Sequence, residues 1–179
     1  QVAFTAPTTS GCVPQVITFN NTSGNGQNCS WNFGDGSTAV GCNTVSHEYS
    51  AAGCYDVTLT TTSSDGCVNS ATYDDYICVD ENPIADFNYT PTEVSMFDPN
   101  VNFINESVNG DFYNWNFFEL GGSNEFEPSL ELPGEPGEYE VQLTVTTNAG
   151  CTDTKASIIF VRDELIFYVP NTFTPDGDD

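Results

Sequence analysis

One period runs through this chain. Trp31-Asn32-Phe33 returns as Trp115-Asn116-Phe117, and the interval between them also carries Val57 to Val141 and Gly66-Cys67 to Gly150-Cys151. Phe19, Asn21 and Ser23 return in the same way as Phe103, Asn105 and Ser107. A repeat held across several separated motifs describes a chain that folds one unit twice, each copy burying a core of its own. Trp31 and Phe33 lie two apart, so on an extended strand both point to one face and bury a large aromatic area. Gly34-Asp35-Gly36 then turns the chain. The glycines supply positive-φ positions for a hairpin, and the Asp35 carboxylate can accept hydrogen bonds from the amides of the turn.

With 38% hydrophobic and 13% aromatic residues the chain can fill two cores, which separates it from disordered acidic tails. Thr, Val, Tyr and Phe alternate with polar residues between clusters of Gly, Asn, Asp and Pro, and helical periodicity is scarce. The class is therefore all-β. Residues 1–80 make the first unit, 81–83 a linker ending in Pro83, 84–162 the second unit and 163–179 a tail. Within the first unit the pattern predicts an edge strand over 2–5, a loop over 7–14 and a strand over 16–20. Strands near 44–49 and 54–62 follow, then a turn at Asp65-Gly66 and a last strand running to Val79.

Only Lys155 and Arg162 are basic against 26 acidic residues, for a formal net charge of −24. That excludes nucleic acid as a natural partner, because its affinity comes from Lys and Arg on phosphate, and it disfavours anionic membrane surfaces. The sequence holds no apolar run long enough to span a bilayer, so direct membrane insertion is not expected.

Six of the seven cysteines (12, 29, 42, 54, 67, 78) fall in the first unit, an even number that predicts three disulfides and an oxidising compartment. The repeat helps choose among the possible pairings. Shifting by one period replaces Cys54 and Cys78 by Glu138 and Arg162, an opposite-charge pair on an outward face where a bridge or an ion pair can join strands. It replaces Cys29 by Tyr113, and Cys42 by Phe126 or Glu125. The expected pairs are Cys29–Cys42 across the hairpin, Cys54–Cys78 between the last two strands, and Cys12–Cys67. That last pair maps onto Met96 and Cys151, which leaves Cys151 as a free, buried thiol. A zinc site is not expected: there is no Cys-x-x-Cys, and the single histidine, His47, stands outside any ligand spacing.

Three motifs in order, Trp31-Asn32-Phe33-Gly34-Asp35-Gly36, His47-Glu48-Tyr49 and Gly53-Cys54-Tyr55-Asp56-Val57-Thr58-Leu59-Thr60, resemble the signature of the PKD (polycystic kidney disease) domain. The resemblance implies tandem immunoglobulin-like, seven-stranded β-sandwiches, extracellular modules that space or bind and carry no catalytic residues. It also implies that Trp31, Phe33, Gly34, Asp35, Gly36, His47, Tyr49 and Tyr55 form a structural motif. The second unit departs from the pattern, with Phe118-Glu119-Leu120-Gly121-Gly122 at the turn and Leu130 and Leu132 in place of His47 and Tyr49. Because the rest of the unit survives that loss, Asp35 and His47 read as structural. Tandem sandwiches of this kind sometimes stiffen their junctions with calcium, so calcium is the one cofactor expected. Its oxygen ligands would come from Asp80, Glu81 and Asp86 at the linker and from Asp176 and Asp178 in the tail.

The tail, Pro170-Asn171-Thr172-Phe173-Thr174-Pro175-Asp176-Gly177-Asp178-Asp179, resembles the opening of the gliding-motility-associated C-terminal (type B) sorting domain of type IX secretion substrates. That implies a bacterial protein exported to the cell surface or the medium. Its partners would be other domains of the same long chain, outer-membrane secretion or attachment machinery, and surface polysaccharide, on which Tyr73 and Tyr76 could stack. The function expected is a non-catalytic stalk or adhesion segment. The alternative is an accessory module of a secreted polysaccharide- or protein-degrading enzyme.

Overall fold

The structure, a computed structural model, describes residues 1–24 and 28–163. In the first unit the strands are β1 (Phe4–Thr5), β2 (Ser10–Cys12), β3 (Gln15–Asn21), β4 (Asn28–Asn32), β5 (Thr38–Val40), β6 (Thr44–Tyr49), β7 (Gly53–Thr62) and β8 (Val68–Asp80). They form a three-stranded sheet, β1-β3-β6, and a five-stranded sheet, β2-β8-β7-β4-β5. The stretch expected to be a loop over 7–14 contains β2, which runs parallel to the end of β8. The first strand of the sandwich is thus split: β1 closes one sheet and β2 the other, giving the seven-stranded immunoglobulin-like architecture with its first strand shared between sheets.

The second unit repeats the plan with β9 (Phe87–Thr90), β10 (Val94–Ser95), β11 (Asn100–Asn105), β12 (Phe112–Asn116), β13 (Gly122–Ser123), β14 (Ser129–Glu131), β15 (Gly137–Thr146) and β16 (Thr152–Arg162). Its sheets are β14-β11-β9 and β10-β16-β15-β12-β13. A 3-10 turn, Phe118–Leu120, interrupts the strands after β12.

The alternation seen in the sequence is the alternation of burial. On β4 the side chains of Cys29 and Trp31 are buried between exposed neighbours. The buried set on β7 is Val57, Leu59 and Thr61, and on β15 it is Val141, Leu143 and Val145. Each core is built around its tryptophan. Trp31 packs with Phe4, Phe19 and Phe33, and Trp115 with Phe87, Phe103 and Phe117. Each indole N–H is also satisfied in the same way, donating to the Gly41 carbonyl at 2.9 Å and to the Glu125 carbonyl at 3.0 Å, as a buried Trp requires.

The units differ where the sequence inserts residues. Tyr55 pairs with Ile77 but Val57 pairs with Tyr73, so β8 carries two extra residues at this point, and Asp75 there has φ 45°. β16 has no such bulge and pairs Glu138 with Phe160. The expected Glu138–Arg162 pair therefore does not form. Arg162 instead donates to Glu93 at 2.9 Å across two exposed side chains.

Candidate functional site at the junction of the sandwiches

Two clusters of polar and sulfur chemistry stand out, one inside the first unit and one between the units. The first is the Gly34-Asp35-Gly36 turn after β4. Gly34 has φ 84° and lies so close to the Asp56 backbone that a Cβ would meet the Asp56 carbonyl oxygen at 2.5 Å. Only glycine tolerates that approach. Asp35 accepts from the Ser37 amide through Oδ1 at 2.9 Å and meets His47 Nε2 through Oδ2 at 2.7 Å. His47 stacks flat on Phe33, with ring centroids 4.1 Å apart, and Tyr49 packs edge-on against His47 while its hydroxyl donates to the Phe33 carbonyl at 3.1 Å. Tyr55 stacks on Tyr49.

Burial pushes the Asp35 carboxyl up, but the His47 contact and the Ser37 amide outweigh it and hold it below the usual range. Burial, and then the negative charge of Asp35 and the neighbouring Tyr55, raise the Tyr49 hydroxyl far above a free tyrosine. Every member of the cluster is thereby tied to the β4–β5 turn or to the strands packed beneath it. The second unit keeps the frame of the turn without the Asp–His pair. Phe118 N donates to Asn116 Oδ1 at 2.8 Å where Gly34 N donates to Asn32 Oδ1 at 3.0 Å, and Leu132 is buried in place of Tyr49.

The second cluster is the junction. Cys12 at the end of β2 is bonded to Cys151, in the β15–β16 turn just ahead of β16, with Cα atoms 5.7 Å apart and a sequence separation of 139. This corrects the expected Cys12–Cys67 bond and the free Cys151: Cys151 is bonded and buried, and Cys67 is the free, exposed cysteine. The physical reason is position. β2 lies beside the last residues of β8, at the pole where the chain leaves the first unit, whereas Cys67 sits on the turn at the opposite end of β8.

Around the staple, Asn82 Nδ2 donates to the Val13 carbonyl at 2.6 Å and Asn109 Nδ2 to Glu81 Oε2 at 3.0 Å. The Ile84 and Val108 backbones bond each other in both directions at 2.9 Å. The Ala85 amide donates to Asp153 Oδ2 at 2.8 Å, two residues beyond Cys151.

The other two bridges are Cys29–Cys42 and Cys54–Cys78, both within the first unit. In the second unit Asn105 Nδ2 donates to the Phe126 carbonyl as Asn21 Nδ2 donates to the Cys42 carbonyl, so Phe126, rather than Glu125, is the counterpart of Cys42. Tyr113 and Phe126 meet edge-to-face with centroids 4.9 Å apart, so an aromatic pair stands where the first unit has a disulfide.

Of the carboxylates expected to hold calcium, Asp80 ends β8, Glu81 accepts from Asn109, and Asp86 is paired with Lys155, whose ammonium holds its carboxyl below the usual range. Among the described residues no three His, Cys, Asp or Glu side chains converge as a metal-binding group. Asp176 and Asp178 lie outside the described residues. Tyr73 and Tyr76 are not free to stack on sugar. Tyr73 lies flat on Phe4, with centroids 4.3 Å apart, and the Tyr76 hydroxyl accepts from the Ala6 amide at 2.9 Å.

Two immunoglobulin-like β-sandwiches joined by a covalent staple define the class of this protein. Residues 2–79 match the PKD domain family, and the first sandwich belongs to it. Among solved structures, the PKD1 domain of Vibrio anguillarum Epp is 29% identical over 46% of this chain and 96% of its own, with a TM-score of 0.39. The PKD1 domain from the Vibrio cholerae metalloprotease PrtV is 30% identical over 45% of this chain and 96% of its own, with a TM-score of 0.38. A C-terminal 282-residue fragment of intimin is 14% identical over 88% of this chain and 63% of its own, with a TM-score of 0.53, a likeness of fold. No curated protein matches the sequence.

Proposed function

We propose that the two sandwiches act as a stiff, non-catalytic spacer or adhesion segment of an exported, surface-attached or secreted protein. The observation that carries this reading is the Cys12–Cys151 bond between the units. A short linker alone would let two domains swivel, since an interface between domains in one chain is ordinarily mobile. A second covalent tether, with the Asn82 and Asn109 hydrogen bonds beside it, removes most of that freedom. Three disulfides also suit an oxidising, extracytoplasmic setting.

The Asp35–His47 pair acts as a clamp in this reading. His47 is stacked on Phe33 and hydrogen-bonded to Asp35 of the turn. The tail's resemblance to a type B sorting domain adds export by type IX secretion and attachment at a gliding-type cell surface to the proposal. Small-angle scattering tests stiffness: the oxidised protein should fit one rigid shape, and a Cys12→Ser/Cys151→Ala variant should need an ensemble of interdomain angles. An oxidised protein that already needs a broad ensemble would overturn the spacer reading.

A second reading, an accessory module of a secreted degradative enzyme, is favoured by the sequence identity of 30% between the first unit and a PKD1 domain of a metalloprotease. Binding of the isolated segment to polysaccharide or protein substrate, with no effect of the staple on that binding, would favour it over the first.

A further inference from the structure

The free cysteine of the first unit occupies the place that is stapled in the second. Ser63 N donates to the Cys67 carbonyl at 2.9 Å, Gly66 N to the Ser63 carbonyl at 3.0 Å, and Cys67 N to Ser63 Oγ at 3.2 Å. In the other turn Thr147 N donates to the Cys151 carbonyl at 2.9 Å, Gly150 N to the Thr147 carbonyl at 2.9 Å, and Cys151 N to Thr147 Oγ1 at 3.1 Å. Gly66 and Gly150 share the left-handed conformation, with φ 78° and 87°. The two turns therefore hold their cysteines in the same local geometry. They differ in what covers them: Cys151 is 1% exposed against the unit that precedes it, and Cys67 is exposed.

The outgoing half of the staple can be traced in the same way. Val13 N donates to the Asp80 carbonyl at 3.0 Å and Met96 N to the Arg162 carbonyl at 3.1 Å, which makes Ser95, one residue from the expected Met96, the counterpart of Cys12. The first unit thus has both an outgoing cysteine (Cys12) and an incoming one (Cys67), and the second unit has only the incoming one (Cys151).

We propose that Cys67 is the incoming half of a second staple, made to a cysteine at the β2 position of another β-sandwich unit docked ahead of the first. Two thiols lose two electrons and two protons to the disulfide-forming oxidant of the export compartment, as in the formation of Cys12–Cys151. Cys12 of a second copy of this chain is already bonded, so the partner is a further unit with an unpaired β2 cysteine. This extends the spacer reading to a stapled array, yet it stands on the turn geometry. A free Cys67 would overturn it and leave the Cys12–Cys151 spacer untouched.

Two experiments test it. The protein is extracted without reductant from the cells that make it, alkylated in acid and digested for non-reducing peptide mapping. The expected map links the Cys67 peptide to a cysteine of a preceding unit, and a Cys67 that is alkylated or bonded elsewhere overturns the proposal. A head-to-tail fusion tests the docking itself. Residues 1–162 bearing Ser95→Cys are joined through Glu-Asn-Pro to a second full copy, so that Gln1 of that copy takes the place of Ile84 and the new junction repeats the spacing of the natural one. With Cys12–Cys151 mapped in both copies as the sign of folding, the new cysteine should pair with Cys67 of the second copy and leave one titratable thiol per fused chain. Three thiols would overturn it.

Discussion

Removing the staple should uncouple the two sandwiches as well as weaken them. In the loop-entropy account a disulfide stabilises by restricting the unfolded chain, and the restriction grows with the logarithm of the loop it closes. The sequence separations are 139 for Cys12–Cys151, 24 for Cys54–Cys78 and 13 for Cys29–Cys42. The corresponding contributions are about 5, about 3.5 and about 3 kcal/mol. The larger figure applies only while both units unfold together, because the loop spans both. Replacing the pair as Cys12→Ser/Cys151→Ala should therefore cost about 5 kcal/mol of whole-chain stability and split one unfolding transition into two.

Trp31 and Trp115 report one unit each, since both are 1% exposed in separate cores. Urea titrations of Trp31→Phe and Trp115→Phe variants then read the two units separately. With the staple intact both probes should give one midpoint. Without it the Trp115 signal should fall first, because the second unit has no internal bridge and keeps only the Tyr113–Phe126 contact in place of one. Coincident midpoints in the unstapled variant, or a loss below about 1 kcal/mol against the loop-entropy value, would refute the claim that this bond couples the units.

Asp35→Asn should cost the first unit about 1.5 to 2 kcal/mol, the low half of the range for a charge-assisted hydrogen bond because both partners keep some contact with water. Asp35 titrates below its ordinary value in the fold, so its contribution is complete above about pH 4 and is lost as the pH falls through the depressed pKa. The difference between wild type and variant in thermal melts should accordingly close on acidification, and a gap that widens instead would contradict the pair. In the second unit, Tyr113→Cys/Phe126→Cys should close a bridge and give a net gain of about 2 kcal/mol, the disulfide outweighing the lost aromatic contact; failure to oxidise would undo the equivalence with Cys29–Cys42. With Asp86 held by Lys155 and Glu81 by Asn109, calcium and sodium at matched ionic strength should raise the melting temperature equally, by screening. A calcium-specific rise that Asp80→Asn/Glu81→Gln abolishes would instead establish a calcium site at the junction.

Much of the first-order architecture could be read from the residues themselves. Alternation placed Trp31 and Phe33 on one buried face, and the repeat carried that placement to Trp115 and Phe117, because a strand's side chains alternate faces whatever surrounds it. The repeat showed that the fold occurs twice, and Gly34-Asp35-Gly36 marked its turn. What the sequence left open were relations between distant strands. A two-residue bulge at Asp75 moved the partner of Glu138 from Arg162 to Phe160, and a shift of constant length has no means of showing it. Pairing Cys12 with Cys67 treated each unit as closed. The bond to Cys151 depends on which pole of one sandwich meets which turn of the next, a matter of docking in three dimensions that strand periodicity does not encode.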